Sequence, residues 1–299
     1  VNKKYTSIAK TSLKIIVSVG ALVFVFTKIQ FSEVFRVFGS SNFFLLFLAL
    51  LAFAVSKLIA AFRLNLFFRA IGIRIAETEN LKLYLLGMYY NLFLPGGIGG
   101  DGYKIFILNK RTDVRASKIF WAVLIDRVNG VVALCCLVVL LSYFIVPDTG
   151  ISYKPYFWIA VPAGLTLFAL VIRRFFRTLY RCIAQTTLLS LAVQSLQVLS
   201  AFLILKAIGG EEREFEYLFV FLISSIVAML PVSIGGVGLR ELTFLYGSRV
   251  LSLDVSLSMA LSLTFYIITA FVSLWGIYFG IRTEKVFSGS PAAVANISK

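Results

Sequence analysis

Eight apolar runs separated by short polar stretches organise this chain: Leu13–Ile29, Phe43–Phe62, Leu81–Leu94, Ile119–Val146, Tyr156–Ile172, Ile183–Ile208, Tyr217–Leu230 and Val255–Ile281. Six of them reach the roughly 17 to 25 residues that a helix needs to span a bilayer core. The third and seventh hold only 14 residues. At 1.5 Å per residue each covers about 21 Å, short of a hydrocarbon core of about 30 Å. Both then break into proline and glycines, so each is predicted to enter the membrane and return as a re-entrant hairpin.

The two breaks match one another. "LPGGIGGDGYK" (Leu94–Lys104) aligns without gaps on "LPVSIGGVGLR" (Leu230–Arg240), 136 residues later, with six of eleven positions identical and Lys104 falling on Arg240. The same offset carries the second run onto the sixth and the fourth onto the eighth. The predicted fold is therefore an all-α polytopic membrane protein built from an inverted-topology repeat, each unit having three transmembrane helices and a re-entrant hairpin. The first unit is residues 1–146, with spans 13–29, 43–62 and 119–146 and a hairpin at 81–118. The second is 147–285, with spans 156–172, 183–208 and 255–281 and a hairpin at 217–250, and 286–299 is a flexible tail.

Three crossings per unit force the second copy to be inserted upside down, and the charges agree. With the N-terminus inside, the inner segments hold 20 lysines and arginines and the outer ones seven, and the acidic stretch Glu211–Glu216 falls outside. The positive-inside rule then places both termini on the cytoplasmic side of a cell inner membrane.

Composition supports the membrane reading: 60% of the 299 residues are hydrophobic, 14% are charged and none is histidine. The net charge of +15 comes from short basic loops between apolar runs. That suits anionic lipid at the cytoplasmic surface and argues against nucleic acid. Cys135, Cys136 and Cys182 show no metal spacing and read as small apolar residues. The apolar stretch Ile15–Phe26 of the first run follows four lysines but no small-x-small cleavage site follows it, so the first run is expected to remain as a span.

The chemistry concentrates at the breaks. Gly97–Gly102 satisfies G-x-G-x-x-G, yet no strand precedes it and the second copy lacks the spacing, so a dinucleotide site is not expected. Pro95 and Pro231 are expected to end the incoming half-helices. Gly99, Gly100 and Gly102, with Gly235, Gly236 and Gly238, are expected to form hinges whose exposed N–H groups cradle an anion. Close helix packing at the same glycines is the alternative. Lys104, Arg240 and Glu241 lie in the first turns of the returning helices, with Asp101 beside them.

In "LIDRVNG", Asp126 and Arg127 fall about 15 Å into the fourth run, near the membrane midplane. A charge there costs at least about 2.5 kcal/mol on insertion scales, so each needs a cavity or a partner. Arg127 is expected to meet Asp101 or a ligand phosphate; a structural ion pair that holds the hairpin is the alternative. Asn91 and Asn129 complete the candidate substrate-binding set. Lys57, Gln194 and Gln197 read as a snorkelling base and interhelical glue. The residues suggest no catalytic nucleophile, metal site or cofactor, so the chain is not expected to be an enzyme.

The strings "NLFLPGGIGGDGYK", "LIDRVNG", "LPVSIGGVGLRE" and "AFRLNLFFRAIG" resemble the flippase-like transmembrane family, also called the lysylphosphatidylglycerol synthase transmembrane region. The resemblance covers nearly the whole chain, without the soluble synthase domain of two-part members. It implies a flippase or translocator that moves an anionic or aminoacylated phospholipid, or a polyprenyl-linked lipid, between leaflets. An ion- or proton-coupled small-solute transporter and a membrane partner subunit of a lipid or glycosyl transferase are the alternatives. A second copy of the chain or a lipid-synthesising enzyme are the candidate protein partners.

Overall fold

The computed structural model describes residues 41–93, 99–145, 154–210, 212–229 and 239–281. The expected first span at 13–29, the tail at 286–299 and the break residues Pro95, Pro231, Gly235, Gly236 and Gly238 lie outside them.

Ten helices occupy the described residues: α1 (Phe43–Ala70), α2 (Glu77–Phe93), α3 (Gly99–Arg111), α4 (Ala116–Ile145), α5 (Lys154–Phe175), α6 (Arg177–Tyr180), α7 (Ile183–Ala207), α8 (Glu214–Ala228), α9 (Leu239–Val250) and α10 (Val255–Ile281). Five are long and apolar enough to cross a membrane, within α1, α4, α5, α7 and α10. The chain is an all-helical, multi-pass membrane protein.

Helix α1 shows how the sequence builds for lipid. Asn42 caps it, its side chain accepting from the N–H groups of Phe44 and Leu45 at 3.0 and 3.3 Å, which satisfies two of the donors a helix start leaves open. Phe44, Phe47, Leu51, Val55, Leu58 and Phe62 form an exposed stripe at helical spacing, whereas Ala49, Phe53, Ser56, Ala60, Arg63 and Phe67 face inward. The outer face is apolar as far as Phe62 and the inner face carries the small and polar groups, as packing against lipid requires. The helix runs past its expected end at Phe62 to Ala70 because Leu64, Phe67 and Phe68 continue the buried face. It stops where Gly72 takes a φ of 90°, a backbone conformation that a side chain would strain.

The helices pack in a scheme that repeats. The pairs α2 with α3 and α8 with α9 each form a short helical couple; α1 packs on α2 as α7 does on α8, α3 on α4 as α9 does on α10, and α10 lies on α2 as α4 lies on α8. An offset of 136 relates the members of every one of these correspondences. Helices α1 and α7, which correspond to each other, run antiparallel in direct contact. The Asn42 N–H donates to the Ala207 carbonyl at 3.0 Å, and Ser200 Oγ donates to the Ala49 carbonyl at 2.9 Å. That register sets Lys57 against residues 192–196.

The interior is layered. One apolar cluster gathers Phe53, Leu134, Ile204, Phe221, Phe244 and Phe265; the other gathers Leu64, Phe67, Leu83, Ile119, Ile125 and Ile183. Each of α1, α4 and α7 passes through both clusters. Between them α1 contributes Ser56, Lys57 and Arg63, α4 contributes Asp126, Arg127 and Asn129, and α7 contributes Ser190, Gln194 and Gln197. A polar layer thus lies between two apolar ones.

Candidate functional site

Arg63 stands at the centre of this layer. Its Nε and Nη2 donate to the two Asp126 carboxylate oxygens at 2.7 and 3.0 Å, and its Nη1 donates to Ser190 Oγ at 2.8 Å. These bonds tie α1, α4 and α7 together. Both charged side chains are below 10% exposed, so the fork satisfies a charge that could not otherwise remain in this environment. Arg63 falls one residue beyond the second apolar run, Phe43–Phe62, so the run's bounds alone do not bring it to Asp126.

The second constellation belongs to the first short couple. Lys104 Nζ donates to Asp101 Oδ1 at 3.0 Å, while Arg127 Nε, reaching across from α4, donates to Asp101 Oδ2. Asp101 therefore accepts from two cations at once, and the expected Arg127 partner is the carboxylate. The Lys104 ammonium also rests 4.7 Å from the centroid of the Tyr84 ring. A side chain on Gly87 would come within 2.4 Å of Lys104 Cε, so Gly87 makes the space that this lysine fills.

Gly100 is a packing contact of the closest kind: a Cβ there would meet the Gly87 carbonyl oxygen at 1.9 Å. Its N–H donates to Asn91 Oδ1 at 2.8 Å, so that donor holds α3 to α2. A Cβ on Gly102 would meet nothing within 4 Å. Gly99 begins α3, directly before this contact. On α4, Asn129 Oδ1 accepts from Thr187 Oγ1 at 3.1 Å, and its buried Nδ2 has no hydrogen-bond partner among the described residues.

The second couple is furnished differently. Arg240 lies with its guanidinium 4.9 Å from the Phe265 ring and 5.8 Å from the Phe221 ring, an arrangement of the cation–π kind. Beside it opens a cavity of about 200 Å³, lined by Gln194, Gln197, Ser225, Arg240, Glu241 and Tyr266 among others. Lys57 Nζ lies 4.4 Å from the centroid of the Phe53 ring.

Among the described residues, the polar layer and its two couples hold five cations (Lys57, Arg63, Lys104, Arg127, Arg240) and three carboxylates (Asp101, Asp126, Glu241). Among the described residues no cluster of histidine, cysteine, aspartate or glutamate suited to a metal ion occurs. Sequence reasoning found Lys104, Asp101, Arg127 and Asp126, which the structure brings together through direct bonds or shared neighbours. It missed Arg63, Ser190, Tyr84, Gly87 and Tyr266. Only Arg63 offered a signal, as an arginine whose flanking residues remain apolar.

Residues 12–183 and 172–276 match the family model described as the lysylphosphatidylglycerol synthase TM region. The UPF0104 membrane protein PH1989 of Pyrococcus horikoshii is 22% identical over 282 residues, covering 76% of this chain and 82% of that protein.

Proposed function

We propose that this chain, which belongs to the lysylphosphatidylglycerol synthase TM region family, is a translocator that carries an anionic lipid head group between leaflets through its polar layer. The observation that carries this reading is the excess of cations over carboxylates between two apolar clusters. Positive charge inside a membrane protein is costly unless a cavity or a counter-charge receives it, and a phosphate on a mobile lipid is such a counter-charge.

An inverted repeat fits this task. Its support is the neighbour scheme that recurs at an offset of 136, with α1 and α7 antiparallel. The short members of the two couples reinforce it. Helices α3 and α9, at 13 and 12 residues, cover about 20 and 18 Å and suit half-membrane hairpins. Oppositely oriented halves would present related basic hairpins, Lys104 and Arg240, to opposite leaflets, as alternating access requires. The charge asymmetry of the loops favours cytoplasmic termini and the inner membrane. Proton coupling through Asp101 or Asp126 is the weaker reading, because each carboxylate already accepts from a guanidinium.

The test is reconstitution into liposomes with a trace of fluorescently labelled phosphatidylglycerol. Protein-dependent exposure of inner-leaflet label to an impermeant quencher is expected. Flip rates equal to those of protein-free liposomes would sink the reading.

A further inference from the structure

The two halves share a basic residue at equivalent positions, but they treat it in opposite ways. In the first half Lys104 is bonded to Asp101, and the neighbouring space is filled by the Arg63–Asp126 fork and by Arg127. The offset of 136 replaces each of these groups in the second half: Asp101 by Val237, Arg63 by Leu199, Asp126 by Ser262 and Arg127 by Leu263. Arg240 keeps its charge but has no carboxylate within salt-bridge distance among the described residues, and it rests on aromatic faces instead. Where the first half has an ion-paired, filled site, the second has the cavity of about 200 Å³.

Its lining is set up to donate. Tyr266, only 7% exposed, has a buried hydroxyl that makes no hydrogen bond among the described residues. Gly130 occupies the equivalent position of the first half, so this hydroxyl is an addition peculiar to the second. One turn earlier on α10, Ser262 Oγ is likewise buried without a partner. Ser225 and Thr269 direct their protons at the Phe221 and Phe265 carbonyls. Arg240 and Tyr266, together with the Gln197 amide, remain as donors around the space. A buried hydroxyl left unbonded is unfavourable, a penalty that a ligand oxygen would remove.

We infer that this second-half cavity is a phosphate site, in which Arg240 and Tyr266 grip the phosphate oxygens. The guanidinium fork matches a phosphate in geometry and charge. The volume suits a head group, being below the 300 to 1,000 Å³ of pockets that enclose a whole drug-sized ligand. The inference rests on the translocator reading for its role and names where, in that reading, the head group is held.

Thermal unfolding of the detergent-solubilised protein tests it, titrated separately with dihexanoyl phosphatidylglycerol, glycerol 3-phosphate and inorganic phosphate. A saturable rise in melting temperature is expected with the short-chain lipid. A rise with the lipid alone assigns the phosphate to a lipid head group, and a rise with the soluble anions as well assigns the site to phosphate esters generally. Arg240→Gln should abolish the response. Tyr266→Phe should weaken it about tenfold, the loss of one hydrogen bond to a charged group. The ligand-free Tyr266→Phe protein should melt no lower than wild type, because the hydroxyl it removes has no partner to lose. Arg249→Gln, an exposed change on the same helix, should titrate as wild type. The inference is overturned if none of the three ligands shifts the wild type, or if both Arg240→Gln and Tyr266→Phe keep wild-type titrations. Binding without translocation would remove the transport reading and leave the site; translocation without this binding would do the reverse.

Discussion

Arg63 and Asp126 meet side-on, two guanidinium nitrogens on two carboxylate oxygens at 2.7 and 3.0 Å, and both side chains are nearly inaccessible. Removing one partner strands the other. Arg63→Met or Asp126→Leu alone should each destabilise the protein by about 3–5 kcal/mol, while the double substitution should recover most of that loss. Thermal unfolding of the three variants in one detergent measures this. Additive losses in the double variant would show that the two side chains act independently.

Lys104 and Arg127 share Asp101 but differ in access, with side chains 6% and 31% exposed. Lys104→Ala should therefore cost more stability than Arg127→Ala. Arg127→Ala should still slow lipid translocation severely in a folded protein, and Arg127→Lys should restore it only in part, because the ammonium lacks the planar fork. Flip rates of the reconstituted variants decide the role. Full translocation by Arg127→Met combined with Asp101→Asn would make Arg127 scaffold.

Gly100 and Gly102 are two residues apart in α3 and should respond oppositely to alanine. At Gly100 the new methyl meets a carbonyl oxygen of α2 at 1.9 Å, so the helices must separate, at a cost of about 1–3 kcal/mol or more. At Gly102 it meets open space, and the helix gains roughly 0.5–1 kcal/mol from the loss of glycine's flexibility. Melting temperatures of the two variants check the pair; a lower value for Gly102→Ala would contradict the geometry.

Orientation is open to direct chemistry. In a cysteine-free background, single cysteines at Asn109 and Glu212 should be labelled from opposite faces of intact membranes by an impermeant maleimide. Labelling of both from one side would refute the inverted arrangement.

The helices were legible in the sequence because lipid imposes long apolar runs: the last one was expected at Val255–Ile281 and lies there. The second apolar run ends at Phe62, directly before Arg63. The chain continues as helix since Leu64, Phe67 and Phe68 still have neighbours to bury against and only Gly72 stops it. The pairing of Arg63 with Asp126, 63 residues apart, left no trace in local spacing. The repeat gave no help either, since Arg63 has a leucine as its counterpart. Lys104 and Asp101 were found because a charge among glycines and apolar residues stands out. Tyr266 was not, since a tyrosine in an apolar helix reads as ordinary packing until the empty space at its hydroxyl is seen.

The antiparallel contact of α1 with α7 limits how alike the two halves can be. Its register sets Lys57 against the stretch 192–196, which contains Val193, the residue that the offset of 136 makes its own counterpart. Two first halves joined head to tail would press lysine on lysine in the membrane interior, while two second halves would bring valine to valine. Divergence at this contact is therefore an electrostatic necessity for any chain that keeps Lys57, and the halves cannot be exchanged for one another.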